Sequence, residues 1–144
     1  MLVKLLPDQI IKYWDLLKPG IGDALQQLDG NLPERLNEIL GDLLMERMQC
    51  WVYVKDGNTI ITALVTALME GFAGDKNKLV VYAMYAFEEI TDEDWIDGFA
   101  TLSKFALSRD CEYVVGNTDR KGLAKTIERL GGEMGYSFSI PCVH

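Results

Sequence analysis

The sequence predicts a mixed α/β fold: one mostly antiparallel central sheet flanked by helices, in the order β-α-α-β-β-β-α-β-α-β. Three observations predict it. Two stretches with helical apolar spacing come early. Three consecutive β-rich runs between residues 50 and 87 read as a meander. After that the pattern alternates between helix and strand to the end. The 144 residues fit a single domain spanning 1–144 with one sizeable core.

Each element has a local cause. Leu2 to Leu6 is a short apolar run closed by Pro7 and reads as an opening strand. Ile10, Ile11, Trp14 and Leu17 recur at helical spacing, with Asp8 suiting the first turn and Lys18-Pro19-Gly20 predicted to stop the helix. Ile21 to Leu28 adds a turn or two before Asp29-Gly30-Asn31. Asn31 is the expected cap of a second helix, with Pro33 near its start, Glu34 in its first turn and an apolar stripe from Leu36 to Leu44. The period then changes. Cys50 to Val54 is rich in β-formers, Asp56-Gly57-Asn58 is a hairpin turn, and Thr59 to Leu68 is the return strand.

Gly71 to Lys78 reads as a polar loop and Leu79 to Phe87 as a central strand. A helix follows from Thr91 to Ser108, opened by a near capping box of Thr91 with Asp94. Tyr113 to Val115 is a short buried strand, Gly116 to Asp119 a turn, and Arg120 to Leu130 a helix ended by Gly131-Gly132. Tyr136 to Val143 is expected to close the sheet as an edge strand, with Pro141 bending it.

Composition narrows the function classes. A net charge of −8 argues against general affinity for nucleic acid or anionic membrane. The cluster Arg120, Lys121, Lys125 and Arg129 reads as helix-surface charge. No apolar run approaches the length of a membrane span, and the opening residues lack the features of a signal peptide, so a cytoplasmic protein is expected. Cys50, Cys111 and Cys142 are odd in number and widely spaced, and are expected to be buried free thiols. Trp14, Trp51 and Trp95 sit within apolar periodicity and read as core anchors.

The most distinctive stretch is Glu88-Glu89-Ile90-Thr91-Asp92-Glu93-Asp94-Trp95-Ile96-Asp97-Gly98, at a strand-to-helix junction. Free N–H groups and the helix dipole make such a junction a natural anion site. Here the chain places its own carboxylates there, which cap the helix and are expected to repel a phosphorylated ligand. Six of these acids carry oxygens that suit a hard cation, but no EF-hand spacing is present and no metal is expected.

The element order resembles the GNAT superfamily of N-acetyltransferases over nearly the whole chain. The carriers are Val3-Lys4-Leu5-Leu6-Pro7-Asp8, and Val114-Val115-Gly116-Asn117-Thr118 followed by Leu123, Lys125-Thr126-Ile127 and Leu130-Gly131. The second segment is similar to the GNAT-like proteins of tailed bacteriophages, including an internal virion morphogenesis protein of T7-like phages. The resemblance implies acetyl-CoA as cofactor, with its pyrophosphate held by a glycine-rich loop before the third helix. The matching stretch, Ile90 to Ala100, has one glycine, Gly98, four acids and no Arg or Lys. The family's proton-donating helix tyrosine falls on Ala124, which transfers no proton.

The expectation is therefore a non-catalytic GNAT-like protein with no cofactor, a structural or interaction component of a phage particle or its assembly. It would dock other proteins, virion components among them, through Asp92, Glu93, Asp94 and Asp97, with homo-oligomerisation left open. The alternative is an acetyl-CoA-dependent N-acetyltransferase with an atypical cofactor loop. In that case Glu88, Asn117 and Tyr136 are the catalytic candidates, and Thr91, Gly98 and Asn117 the cofactor-binding ones. His144, the one histidine, is poorly placed as a base at the chain end.

Overall fold

The computed structural model describes residues 1–25, 31–118 and 120–143. The elements run β1 (Leu2–Lys4), α1 (Pro7–Ala24), α2 (Leu32–Leu44), β2 (Met48–Lys55), β3 (Thr59–Met69), β4 (Asn77–Ala86), α3 (Asp92–Ser108), β5 (Cys111–Gly116) and α4 (Lys121–Arg129). The five strands form one sheet in sequence order. The first three pairings are antiparallel, and β5 lies parallel to β4. The expected turn at Asp29-Gly30 and the terminal His144 lie outside the described residues.

Alternation along the strands builds two cores. Cys50, Val52, Ala63, Val65 and Ala83 meet α1 and α2 through Ile10, Leu17, Ile21, Leu36 and Leu43. Trp51, Tyr53, Leu64 and Leu79 face the other way and meet Leu102 and Ala106 of α3. A buried polar chain crosses β2 and β3: the Trp51 indole donates to the Thr66 hydroxyl at 2.9 Å, which donates to Gln49 Oε1 at 2.8 Å. Trp14 and Trp51 are buried as expected.

Three expectations need correction. Lys18-Pro19-Gly20 does not stop α1, which continues to Ala24 with Pro19 inside it. Tertiary packing overrides the local signal there. Gly20 lies so close to β4 that a Cβ would sit 2.8 Å from the Tyr85 ring. The closing strand at Tyr136–Val143 does not form: no strand or helix spans 132–143, and these residues are exposed. Two-residue alternation is a pattern that can pair, and it makes no strand until the segment is brought against an open edge. Cys142 on that segment is exposed, whereas Cys50 and Cys111 are buried.

Candidate functional site

The site is set by how β4 and β5 part. Their parallel pairing ends at Val81 opposite Gly116. β4 continues through Ala86, so one edge of Tyr82–Ala86 faces no strand on the β5 side. Register against β3 shifts at the same place, with Val65 opposite Ala83 and Thr66 opposite Val81, which makes Tyr82 the extra, bulged residue. The bulge turns Tyr82 toward α2, where the Arg35 guanidinium donates to its hydroxyl and lies 5.7 Å from the ring centroid. Arg35 Nε is buried without an acceptor among the described residues. Around this pair is an open groove of about 570 Å³, lined also by Glu34, Glu38, Asp42 and Met48.

The helix that follows β4 begins at the acidic stretch. Thr91 and Asp94 form a full capping box: the Thr91 N–H donates to Asp94 Oδ2 at 3.1 Å, and the Asp94 N–H donates to the Thr91 hydroxyl at 3.2 Å. Asp94 is only 7% exposed and also accepts from Lys55 Nζ at 3.0 Å. Burial opposes its charge. The Lys55 ammonium and the Thr91 groups outweigh that and hold its carboxyl below the usual range. Lys55 is held above its usual value, chiefly by the same contact.

The neighbouring acids are matched too. Asp97 accepts from the Tyr53 hydroxyl at 2.9 Å, and burial followed by this carboxylate pushes that hydroxyl up to about 12. Asp92, in the open, takes Arg129 of α4 at 2.7 Å. The free anionic cluster expected here is thus a set of pairs, and among the described residues only Glu93 of the four lacks one. The capping box uses the Thr91 and Asp94 N–H groups. Those of Asp92 and Glu93 remain as the first turn's outward donors.

The other candidates are scattered. Gly98 sits in the second turn of α3, facing the Tyr53 ring, and belongs to no loop. Glu88 and Asn117 are exposed at the carboxyl ends of β4 and β5. Asn117 follows Gly116, the last residue of β5 paired with β4, whereas Glu88 lies past the end of β4 at Ala86, so the two stand at different levels of the gap. The turn hydroxyl that meets the start of α4 is that of Thr118, which accepts from the Arg120 N–H at 3.1 Å; among the described residues Asn117 makes no capping bond. Tyr136 stands fully exposed on the C-terminal segment, away from the groove. No group of three or more His, Cys, Asp or Glu is gathered for a metal among the described residues. No helix there is long and apolar enough to cross a membrane.

Sequence reasoning missed Arg35, Tyr82, Lys55, Tyr53 and Arg129. The signal for Tyr82 was weak: a polar-tipped ring in the middle of the strand Leu79 to Phe87.

This fold is that of the GNAT N-acetyltransferases. A probable acetyltransferase of known structure matches with a TM-score of 0.76 at 12% identity, over 100% of this chain and 99% of that one. A ribosomal-protein-alanine N-acetyltransferase from Brucella melitensis biovar Abortus 2308 matches with 0.65 at 13% identity, covering 100% and 99%. AAC(6')-Iy in complex with the bisubstrate analogue CoA-S-monomethyl-acetylneamine matches with 0.66 at 9% identity, covering 100% and 97%. No protein-family model matches the chain, and no curated protein matches its sequence.

The expectation of a non-catalytic structural component is corrected by these likenesses. The matching structures are acetyltransferases, one of them holding a CoA-bearing ligand, and they fit the acetyl-CoA-dependent alternative better. The physical error lay in treating the acids at the start of α3 as bare charges, when Lys55, Tyr53 and Arg129 meet three of them. Nothing in these likenesses points to a phage, and the virion reading has no support.

Proposed function

We propose that the chain is an acyl-CoA-dependent N-acetyltransferase with an atypical cofactor loop. The observation that carries this reading is the parting of β4 from β5 at Val81 and Gly116. It leaves backbone N–H and C=O groups of Tyr82–Ala86 unpaired toward the gap, and an amide-bearing pantetheine arm can satisfy such groups as a strand would. Acetyl-CoA would supply the thioester acyl group. The chain would bind the arm on β4 and meet the phosphates with the Asp92 and Glu93 N–H groups and with Arg129. Arg129 must then leave Asp92, which costs little because the pair is exposed on both sides.

The acceptor amine is assigned to the groove beside Tyr82. Glu34, Glu38 and Asp42 line it beside Arg35 and Arg47; Asp42 is met by Arg47 at 3.5 Å, which leaves Glu34 and Glu38 to complement a cation. The three acids recur every four residues on one face of α2. Tyr82, its hydroxyl held by Arg35, lines the groove and follows the last residue of β4 that pairs with β5, and its hydroxyl can exchange a proton.

Calorimetric titration with acetyl-CoA, followed by thiol release across an amine panel, tests the proposal. Micromolar binding and release dependent on at least one amine are expected, with release reduced in Tyr82→Phe. Absence of binding at millimolar acetyl-CoA would overturn it.

A further inference from the structure

One side of β2 faces α3. Trp51, Tyr53 and Lys55 alternate along the strand and project from the same face. Trp51 and Tyr53 enter the core that Leu102 and Ala106 of α3 help to form. Lys55 ends the row and meets the helix at its first turn. Its ammonium donates to Asp94 Oδ2 at 3.0 Å. The same oxygen accepts the Thr91 N–H at 3.1 Å, so Lys55 holds the atom that closes the capping box. Tyr53, two residues earlier, holds Asp97 about one turn further along the helix.

Lys55 differs from the other side-chain cation at this helix start. Arg129 and Asp92 are both open to solvent, so their pair separates at little cost. Asp94 is buried, and Lys55 cannot leave it without stranding a carboxylate away from water. The Asp94 contact, and more weakly the carboxylates of Asp56 and Glu93, favour the charged form of Lys55 against the opposing effect of burial. The result is a fixed positive charge beside the turn that carries the free Asp92 and Glu93 N–H groups. Without it, Asp94 would add an uncompensated negative charge within a turn of any phosphate docked there. A charge at that range alters affinity by on the order of tenfold.

We infer that Lys55 is the charge-compensating residue of this turn: by neutralising Asp94 it lets an acidic helix start accept the diphosphate of an acyl-CoA. The inference rests on the acetyl-CoA reading above and adds to it a residue that acts through another. Lys55 serves the nucleotide end of the cofactor, and the pantetheine arm on β4 does not depend on it.

The test is calorimetric titration of native protein, Lys55→Met and Lys55→Arg with two ligands. One is acetyl-CoA. The other is acetyl-pantetheine, which carries the same thioester and arm without phosphates. Lys55→Met should weaken acetyl-CoA about tenfold and leave acetyl-pantetheine within about twofold, and Lys55→Arg should restore acetyl-CoA binding. Unchanged acetyl-CoA binding in Lys55→Met would overturn the inference alone. An equal loss for both ligands would mean a merely structural role and would overturn it too. Native protein that binds no acetyl-CoA would sink the parent reading and this inference with it. Should Lys55→Met misfold, Asp94→Asn decides. That change leaves the Lys55 charge unmatched, so acetyl-CoA should bind about threefold tighter or more, and unchanged or weaker binding would refute the role.

Discussion

Replacing Asp94 by alanine should destabilise the protein more than any other single change in the acidic stretch. Its carboxylate accepts from the Thr91 N–H at 3.1 Å and from Lys55 at 3.0 Å while 7% exposed. Losing the cap interaction costs about 1 kcal/mol, and losing a charge-assisted hydrogen bond at a buried group adds about 1.5 kcal/mol. The sum, about 2–3 kcal/mol, corresponds to a fall in Tm of roughly 6–12 °C for a chain of this size. Asp94→Asn keeps an acceptor for the Thr91 N–H and should lose about half as much.

The pH dependence gives an independent check. The folded carboxyl is held below the ordinary aspartate value of 3.8, so its stabilising effect is fully present above that value. It is lost as the pH falls through the depressed folded value. Native protein should therefore lose stability on acidification below the ordinary value of 3.8 more steeply than Asp94→Asn. Thermal unfolding followed by circular dichroism between neutral and acid pH reads both effects. A Tm for Asp94→Ala within a degree or so of native, with parallel acid profiles, would refute the reasoning that this carboxylate holds the α3 junction.

Other outcomes follow from the same geometry. Asp92→Asn removes an exposed negative charge from the start of α3 and releases Arg129; at about 1 kcal/mol per such charge, acetyl-CoA should bind roughly five-fold tighter by calorimetry, and weaker binding would count against the proposed phosphate position. Gly20→Val puts a branched side chain against the Tyr85 ring and should cost about 1–3 kcal/mol in urea unfolding, whereas Gly41→Ala, with open space around it, should not destabilise. Cys50 is fully buried and its thiol is pushed up to about 12 by burial, so labelling by a thiol reagent should proceed only at the rate of unfolding; rapid labelling in the native state would contradict the packing of β2.

Much of the fold is legible because its causes are local. The change from helical to two-residue period at Cys50, the Asp56-Gly57 turn and the Asn31 and Thr91 caps all fall where the residues place them. Pro19 misleads because close packing of Gly20 on Tyr85, 65 residues away, holds the helix through it. The alternation at Tyr136 is real as a pattern. What it lacks is a partner strand, and alternation does not say whether one is within reach.

The site is far less legible. The capping box is a three-residue signal and is visible in the sequence. The partners of the acids are not: Lys55 lies 39 residues from Asp94, and Arg129 lies 37 from Asp92. A run of carboxylates in a sequence carries no mark of the cations that the fold brings to it, and the local potential depends on them.

The polar chain through Thr66 makes the meander intolerant of slippage. Were β3 to zip against β2 one residue out of step, its hydroxyl would swing to the opposite side. The Trp51 indole and the Gln49 amide would be left in a dry interior with nothing to bond. Each stranded group costs about 1–3 kcal/mol. Misaligned hairpins are thus penalised before the helices dock, and the strand edge beside the cleft is laid down in a single alignment.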